Sequence, residues 1–505
     1  MVVEPASEVE PRQPGTPRAV RTWLDGALTL LALGAVVSWV VLVVVHVDDW
    51  YRVDHGAGVR MALADRAADG VMYPPLHADG FYGGSRYMPL SILLHAALYE
   101  VTGDVLVSGK ILGIATVAAL AVVIVWLLWR RLGCPAPLAA ALGAALLVSD
   151  PGLGATFGMR ADALPAVLQL AAVGVAMTAS GPVGVVVAAV LAGLAFTSKI
   201  TAAWAVAAIV AWLLPTDRRR AAKFAAAYVL VVVALLLIFV VASGGRLADV
   251  FALTFAGVGG LGDAITAPYR LLRVLFAEAT MTWALLPLAA WGFISRRQRP
   301  SADPLLPSFV AASVITLVVF TDIGVGVNQV IDLTGLVLVG TGLLIARARD
   351  PMKTMHAPRM AIAWSLGAVV VLWVVGSGMA YTMGTEVPAA IAGAAPGQPL
   401  VDKITPDTTL LSEDPGVPVA LGRTPVVLDP FMLLRLEKRN PDAVDALAMR
   451  IRRHEFDLIV LLEPLDDDSG WWQRYHFGDT VVNAMRDAYA SSGTADGYHL
   501  YVPAS

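Results

Sequence analysis

Long, almost wholly apolar stretches recur along this sequence, and they restrict its fold more than any other feature. The first, residues 28–47, has about the 20 residues that a helix needs to cross a bilayer, and no small-residue cleavage site follows it. Further stretches occupy residues 105–129, 137–148, 164–179, 183–196, 202–214, 224–241, 274–293, 306–320, 333–345 and 361–380. The sequence therefore predicts an all-α polytopic membrane protein with about 11 transmembrane helices.

The composition agrees with this and excludes several other classes. Only 15% of the 505 residues are charged, against roughly 25% in soluble domains, and 57% are hydrophobic. The formal net charge of -4 gives no basic excess for nucleic acid, which is therefore not an expected partner. The single cysteine, Cys134, excludes an internal disulfide framework and a cysteine-built metal site. We therefore expect membrane lipid to surround most of the chain.

Charge predicts the orientation of the helices, because basic residues collect on the cytoplasmic side of a membrane. They flank the apolar stretches on alternate sides, at Arg12, Arg18, Arg21, Arg130, Arg131, Arg218, Arg219, Arg220, Lys223, Arg296, Arg297, Arg299, Arg347, Arg349, Lys353 and Arg359. The opposite connections carry Asp48, Asp49, Asp150, Asp162, Asp263 and Asp322. We therefore expect a multi-pass protein of the plasma (inner) membrane with a cytoplasmic N-terminus and an extracytoplasmic C-terminal region.

Residues 89–101 are apolar but too short to cross the membrane, so we expect them to lie along the outer interface.

The sequence divides into three parts. Residues 1–24 are rich in Pro, Arg and Glu and predict a disordered cytoplasmic tail. Residues 25–384 form the predicted transmembrane domain, with an outer loop at 48–104. Residues 385–505 predict a small extracytoplasmic α/β domain, because short β-rich runs alternate with helical patterns. Its predicted strands are 409–411, 426–428, 458–462 and 500–502, and its predicted helices are 442–454 and 480–490.

The outer loop opens with two adjacent carboxylates, Asp48 and Asp49. If they are partly buried, repulsion and desolvation raise at least one pKa toward the value that a general base needs. The alternative is that they cap the first span and stay hydrated. Further along, Arg86 and Tyr87 lie in a segment rich in Gly and aromatic residues, 80–90, which suits an ordered loop that approaches a sugar. Its tyrosines are equally typical of an interfacial aromatic belt.

Polar residues also interrupt the predicted helix ends. Arg160 and Asp162 lie two residues apart, so they can face one pocket on an extended turn, although a structural ion pair explains them as well. Lys199 interrupts a long apolar run, where it can bind a phosphate or extend to the membrane interface.

A later outer connection holds Asn328, and Asp332 follows about one helical turn inside the next span. A carboxylate at such a depth is costly, which makes Asp332 a candidate for a functional site. The alternative is that Asp332 pairs with Lys110 or Lys199 inside the bundle.

In their order, these motifs resemble those of the GT-C superfamily of membrane glycosyltransferases, and most of all the branch of protein O-mannosyltransferases and lipid A aminoarabinose transferases (glycosyltransferase family 39). The resemblance covers residues 39–344. Asp48 and Asp49 stand where the family has an Asp-Glu pair. The segment 87–90, Tyr-Met-Pro-Leu, stands where it has a Tyr-Pro-Pro-Leu type of motif; residues 73–76 match those letters better, but no apolar interfacial run follows them.

The resemblance implies an inverting transfer of a hexose or pentose from a polyprenyl phosphate to an acceptor hydroxyl on the extracytoplasmic side, in cell-envelope glycan or glycoprotein assembly. The acceptor is a glycan, a lipid or a protein. Asp48 or Asp49 would be the catalytic base. The predicted substrate-binding residues are Arg86, Arg160 and Lys199 for the phosphate, and Tyr87, Asp162, Asn328 and Asp332 for the sugar.

No Gly-rich phosphate-binding loop indicates a nucleotide donor, and no cofactor is required by the sequence. The sequence is compatible with a divalent metal held by Asp48, Asp49 and Asp162, but no motif in it indicates one. Two other functions stay open: a transporter or flippase for a lipid-linked sugar, and a non-catalytic assembly platform. The ionisable residues lie at predicted outer ends rather than at the midplane, which favours surface chemistry over transport. The dominance of Arg, Ala, Val and Gly favours a bacterial source.

Overall fold

The computed structural model describes residues 18–78, 80–160, 162–179, 181–256, 259–295, 303–322, 324–348, 357–391, 400, 404–437 and 440–504. Most of the predicted N-terminal tail, together with Arg12, Arg296, Arg297, Arg299, Arg349 and Lys353, lies outside these residues.

Helices make up the first four-fifths of the chain. They are α1 Arg18–His46, α2 His55–Ala68, α3 Pro89–Thr102, α4 Val105–Trp126, α5 Ala136–Leu147, α6 Asp150–Phe157, α7 Ala163–Thr178, α8 Pro182–Ser198, α9 Trp204–Thr216, α10 Arg218–Ala242, α11 Leu247–Ala256, α12 Leu261–Ala277, α13 Thr280–Ile294, α14 Leu305–Val319, α15 Ile331–Ala348, α16 Ala357–Tyr381 and α17 Val387–Ile391. A short 3-10 turn, Val327–Val330, precedes α15, and π-helical turns, Leu127–Arg131 and Thr382–Glu386, follow α4 and α16.

Several of these helices are long and apolar enough to cross a membrane, so the chain is a multi-pass membrane protein. In the described residues 5 helical segments pass this test, at Thr22–His46, Val105–Arg131, Arg218–Ala242, Val327–Ala346 and Leu366–Ala389. The count reaches 7 if the bent pairs α5 with α6 and α12 with α13 each form one span. The helices α7, α8, α9 and α14 are apolar but have only 10–17 residues. The number of 11 spans therefore stays a prediction.

One predicted span is wrong in its bounds. Residues 274–293 do not form a single helix, because the chain bends by 109° between α12 and α13. Helix α12 is amphipathic: Asp263 and Arg270 lie on one side, whereas large apolar side chains at Leu261, Ile265, Tyr269, Leu272 and Phe276 are exposed on the other. This spacing is typical of a helix that lies along a membrane surface.

The predicted outer loop is ordered around two helices, α2 and α3, and a short hairpin of β1 His77–Ala78 and β2 Phe81–Tyr82. The apolar segment predicted along the interface forms α3. Pro89 starts this helix, where its missing N–H costs nothing, and Gly103 ends it with a left-handed φ of 70°. Because α3 packs on both α2 and α4, it holds the loop against the helical bundle.

The C-terminal part contains a four-stranded sheet of β3 Leu410–Ser412, β4 Leu458–Leu461, β5 Tyr489–Ala495 and β6 Tyr498–Pro503, in the order β3-β4-β6-β5. Only the pair β3 and β4 is parallel. Its helices are α18 Gly416–Ala420, α19 Pro430–Glu437, α20 Pro441–Arg452, α21 Trp471–Arg474 and α22 Asp479–Ala488.

Two details of this part differ from the sequence prediction. Residues 426–428 form no strand of the sheet; instead Val427 makes an isolated bridge with Tyr82, and the Leu428 N–H donates to the Tyr82 carbonyl at 2.9 Å. The predicted helix 480–490 ends at Ala488, two residues early, and residues 489–495 form β5, which pairs with β6 through the tight turn at Asp496 and Gly497, with φ of 53° and 85°. The first difference matters for function, because it ties the C-terminal part to the outer loop.

Candidate active site

A continuous chain of hydrogen bonds joins polar side chains where several helices end. Lys199 Nζ donates to Asp162 Oδ1 at 2.8 Å, and Asn328 Nδ2 donates to Asp162 Oδ2 at 2.7 Å. Arg160 Nη1 in turn donates to Asn328 Oδ1 at 2.7 Å, and Arg160 Nη2 pairs with Asp54 Oδ2. We call these five residues the polar cluster. Four of them are site residues that the sequence predicted, and the structure brings them together.

Breaks in the helices place these side chains. Arg160 and Asp162 lie in the short connection between α6 and α7, which Met159 enters with a left-handed φ of 47°. Lys199 follows the last residue of α8 in an extended conformation, and Asn328 lies in the 3-10 turn before α15. Residues in these connections do not follow the periodicity of a helix, so their side chains can point toward one another.

Positive charges and hydrogen bonds in the polar cluster stabilise its buried carboxylate, Asp162. Asp162 is only 3% exposed, and burial alone would raise its pKa. The positive charges of Lys199 and Arg60, with the hydrogen bonds from Lys199 and Asn328, nevertheless keep the pKa of Asp162 below its usual value. Asp162 therefore stays ionised and fixes the two side chains that bind it, which leaves it little capacity to bind a sugar.

Sequence reasoning missed Asp54. It is the N-cap of α2, where Oδ1 accepts a hydrogen bond from the Ala57 N–H at 3.0 Å and Oδ2 pairs with Arg160. Its side chain is 33% exposed, so it has access to a ligand. The available signal was an aspartate directly before a helical pattern, which in sequence is typical of any helix cap.

Arg60, on the same helix, was also missed. Its guanidinium lies 4.6 Å from the centre of the Tyr87 ring, and Nη1 donates to the Met159 carbonyl at 3.4 Å. Its Nε is buried and has no hydrogen-bond partner among the described residues. Arg160 and Lys199 pair with carboxylates, whereas none of the described carboxylates forms an ion pair with Arg60. Arg60 is therefore a half-buried cation whose Nε is still free to donate a hydrogen bond.

The predicted base Asp49 faces a different set of partners. His46 Nδ1 lies 2.5 Å from Oδ2, the Tyr51 N–H donates to Oδ1 at 2.9 Å, and Lys110 Nζ lies 3.2 Å from Oδ1. Burial opposes ionisation of Asp49, but the contacts with His46, Tyr51 and Lys110 together hold its pKa below its usual value. The expectation that burial and repulsion raise this pKa is wrong for Asp49, because cationic and N–H partners outweigh both effects.

Asp48 is exposed. Among the described residues, no hydrogen bond or ion pair joins Asp48 or Asp49 to the polar cluster. Lys110 is fully buried and donates to the His46 carbonyl at 2.5 Å as well as to Asp49. The partner of Lys110 is thus Asp49 and not Asp332.

Arg86 and Tyr87 border the polar cluster. Arg86 pairs with Asp322, and its guanidinium lies 4.7 Å from the ring centre of Phe431 in the C-terminal part. Burial raises the pKa of the Tyr87 hydroxyl, which therefore stays neutral. The connection after Asp322 runs between the two guanidinium groups: a Cβ on its Gly324 would lie 3.5 Å from Arg86, and one on its Gly326 would lie 3.9 Å from Arg160. Arg86 and Arg160 thus each approach a glycine of the same short connection.

Asp332 lies in the first turn of α15, inside the bundle. It accepts hydrogen bonds from Trp204 Nε1 at 2.8 Å and from Gln169 Nε2 at 3.3 Å. No hydrogen bond of the described residues connects it to Lys199 or Asp162. Asp332 therefore shares no hydrogen bond with the polar cluster, although it lies near enough to Lys199 and Asp162 to interact with both electrostatically.

The described residues contain no group of three or more His, Cys, Asp or Glu side chains that could hold a metal ion. The three aspartates considered for a metal are not brought together, since Asp49 binds Lys110 and Asp162 binds Lys199.

No protein-family model and no curated protein sequence matches the chain. Solved structures do match it. ArnT from Cupriavidus metallidurans, bound to undecaprenyl phosphate, aligns with a TM-score of 0.60 and 14% identity over 95% of this chain and 98% of ArnT. The archaeal oligosaccharyltransferase AglB from Archaeoglobus fulgidus, in complex with an inhibitory peptide and a dolichol-phosphate, aligns with a TM-score of 0.53 and 11% identity over 97% of this chain and 75% of AglB. Both are GT-C membrane glycosyltransferases, so the fold that the sequence motifs predicted is confirmed.

Proposed function

We propose that the protein is a membrane glycosyltransferase that moves a sugar from a polyprenyl phosphate to the hydroxyl of a glycan, lipid or protein acceptor. The observation that carries the proposal is the position of Asp54: a partly exposed carboxylate is held by Arg160 beside the further cations Arg60 and Lys199. A carboxylate next to clustered cations is the arrangement that such a transfer needs. The GT-C fold and the polyprenyl phosphates bound by ArnT and AglB support the same donor class.

In the proposed reaction Asp54 is the general base. The acceptor oxygen attacks the anomeric carbon while its proton passes to the Asp54 carboxylate, and the bond between that carbon and the phosphate oxygen breaks. The electron pair of that bond leaves with the phosphate. Attack and departure on opposite faces of the sugar invert the anomeric centre. Asp54 replaces Asp48 and Asp49 in this role, because their side chains are outside the polar cluster.

The leaving phosphate gains negative charge, and a partly buried cation that forms no ion pair in the free protein stabilises that charge most. Arg60 meets this description better than Arg86, Arg160 or Lys199, each of which pairs with a carboxylate. We assign the phosphate to Arg60, with Arg86 as a further cation next to Tyr87, on whose ring Arg60 packs. Asp162 and Asn328 act on the substrate through Lys199 and Arg160, which they hold in place.

The side of the membrane follows from charge. Helix α9 leads away from Lys199, and at its far end α10 begins with Arg218, Arg219 and Arg220. Thirteen residues of helix span about 20 Å, so these arginines lie far from the polar cluster. By the positive-inside rule, this distance supports an extracytoplasmic position, at the plasma (inner) membrane, for the polar cluster, the outer loop and the C-terminal part.

Two measurements test the proposal. Mass spectrometry of lipid that copurifies with the protein should reveal a polyprenyl phosphate or its sugar conjugate, and its absence from protein purified in mild detergent would contradict the donor class. In proteoliposomes supplied with undecaprenyl-phosphate sugars, Asp54→Asn should lower kcat by about 10²- to 10⁴-fold. Asparagine caps a helix as well as aspartate does, so α2 is preserved. Asp48→Asn is the matched control, and equal turnover of both variants would exclude Asp54 as the base.

A further inference from the structure

A second group of buried ionisable side chains lies outside the polar cluster, where α2 meets the C-terminal part. Glu413, Asp414 and His476 are 0%, 2% and 1% exposed, and His55 is the first residue of α2. Burying this many ionisable groups is costly unless each is bound, so their arrangement needs an explanation.

Glu413 fixes the ring of His476. Its Oε1 lies 2.5 Å from His476 Nδ1 and accepts a hydrogen bond from Trp471 Nε1 at 2.7 Å, while its Oε2 accepts one from the Leu462 N–H at 2.6 Å. With both oxygens occupied, the carboxylate has one orientation, and the imidazole that it binds has one as well.

The fixed His476 ring then packs on α2. The ring centres of His476 and His55 are 4.5 Å apart, and the ring planes meet at 76°, which is an edge-to-face contact. His55 directly follows Asp54, the N-cap of the helix. The C-terminal part therefore touches the helix at the residue next to the proposed base.

A close backbone contact lies one turn further along α2. A Cβ on Gly58 would overlap the Gly416 N–H and Asp414 Oδ1, and a Cβ on Gly416 would lie 3.2 Å from the Gly58 Cα. Asp414 is itself held, because Oδ1 accepts from the Gly416 N–H at 2.8 Å and Oδ2 accepts from the Tyr498 hydroxyl at 2.9 Å. The first turn of α2 is thus fixed at two points by one rigid surface.

We propose that Glu413 and His476 are positioning residues that act through His55 to hold Asp54 against Arg160. This inference rests on the proposed function of Asp54. With this role, the C-terminal part is a component of the active site, because displacing a catalytic base by about 1 Å can lower the reaction rate on the order of 10²-fold. Arg60, two turns along the helix, has its own contacts with Tyr87 and Met159 and does not depend on His476.

The experiment compares His476→Gln and Glu413→Gln with Tyr489→Phe in the full-length protein. Tyr489 donates a buried hydrogen bond to the Phe456 carbonyl at 2.9 Å in the same C-terminal part, but it is not among the residues that contact α2. Turnover with undecaprenyl-phosphate sugars, its pH profile and binding of undecaprenyl phosphate are measured on folded, monodisperse protein.

We expect kcat to fall about tenfold or more in both test variants, while the affinity for undecaprenyl phosphate stays within about twofold. Loss of the Arg160 contact raises the pKa of a carboxylate, so the acidic limb of the kcat profile should also move to higher pH. Tyr489→Phe should show neither change. An unaltered kcat and acidic limb in both test variants, or the same changes in Tyr489→Phe, would overturn the inference. Absence of turnover in the wild type would instead contradict the proposed function itself.

Discussion

Replacement of Asp49 by asparagine tests whether this carboxylate is structural or catalytic. In the structure Asp49 is the only described carboxylate that pairs with the fully buried Lys110, and it also binds His46. The substitution removes one charge of a buried pair and keeps the size of the side chain. Lys110 is then left with two backbone carbonyls as its partners, those of His46 and Asp49.

The size of the effect follows from the burial of the two partners. Breaking a buried ion pair by removing one partner costs about 3–5 kcal/mol of unfolding free energy. Lys110 has no exposed surface, but the side chain of Asp49 is 23% exposed, and the backbone carbonyls still bind the ammonium group. We therefore expect the lower end of the range, about 3 kcal/mol.

The assay is a reversible unfolding titration in mixed micelles, combined with turnover of the fraction that is folded. Asp48→Asn provides the control, because an exposed substitution changes stability by about 0.5 kcal/mol or less. Asp49→Asn should lose stability and keep most of its turnover per folded molecule. A stable Asp49→Asn protein whose turnover falls 100-fold or more would refute the structural role and restore Asp49 as the candidate base.

Two further substitutions test other parts of the site. Arg60→Ala should weaken binding of undecaprenyl phosphate by about 10- to 100-fold, the value of a charge-assisted hydrogen bond, as measured by quenching of tryptophan fluorescence; unchanged affinity would remove Arg60 from the phosphate site. Burial lowers the pKa of His95 on α3 to about 4, although its Nε2 lies 2.7 Å from the Val105 carbonyl. Because the folded protein resists protonation of His95, stability should be constant above pH 6.5 and fall by about 3 kcal/mol as the pH drops from 6.5 to 4. His95→Gln should flatten this part of the profile, and an equal slope in both proteins would contradict the assignment.

The membrane helices could be predicted from sequence because lipid leaves the backbone few alternatives. A long apolar stretch such as that of α1 must satisfy its own N–H and C=O groups, and a helix does so within the segment. The predicted span was wrong at α12, because the charged side chains of this helix allow it to lie at the membrane surface instead of crossing the lipid. The predicted helix 480–490 was also two residues too long, because residues 489–495 form β5, which the turn at Asp496 and Gly497 pairs with β6.

The polar cluster was partly predictable for a similar reason. Arg160, Asp162 and Lys199 stand out because ionisable residues are rare at the ends of apolar runs. Asp54 and Arg60 do not stand out, since they lie in a polar loop where charged residues are common. Whether a carboxylate in such a loop faces a cation or water depends on contacts between distant segments, and one sequence does not contain that information.

The path of the chain explains why the base candidate is found beyond the conspicuous carboxylate pair. Directly after α1 the Tyr51 ring stacks on His46 with ring centres 3.9 Å apart, and its hydroxyl pairs with Glu386 near the end of the described transmembrane part. Arg52, with a left-handed φ of 58°, reverses the chain and binds Asp150 and Glu386 at 3.3 Å and 3.4 Å. Residues 46–52 thus connect the end of α1 to Asp150 of α6 and to Glu386, which follows α16. Asp54 follows this segment and pairs with Arg160, so its position requires the reversal at Arg52 that precedes it.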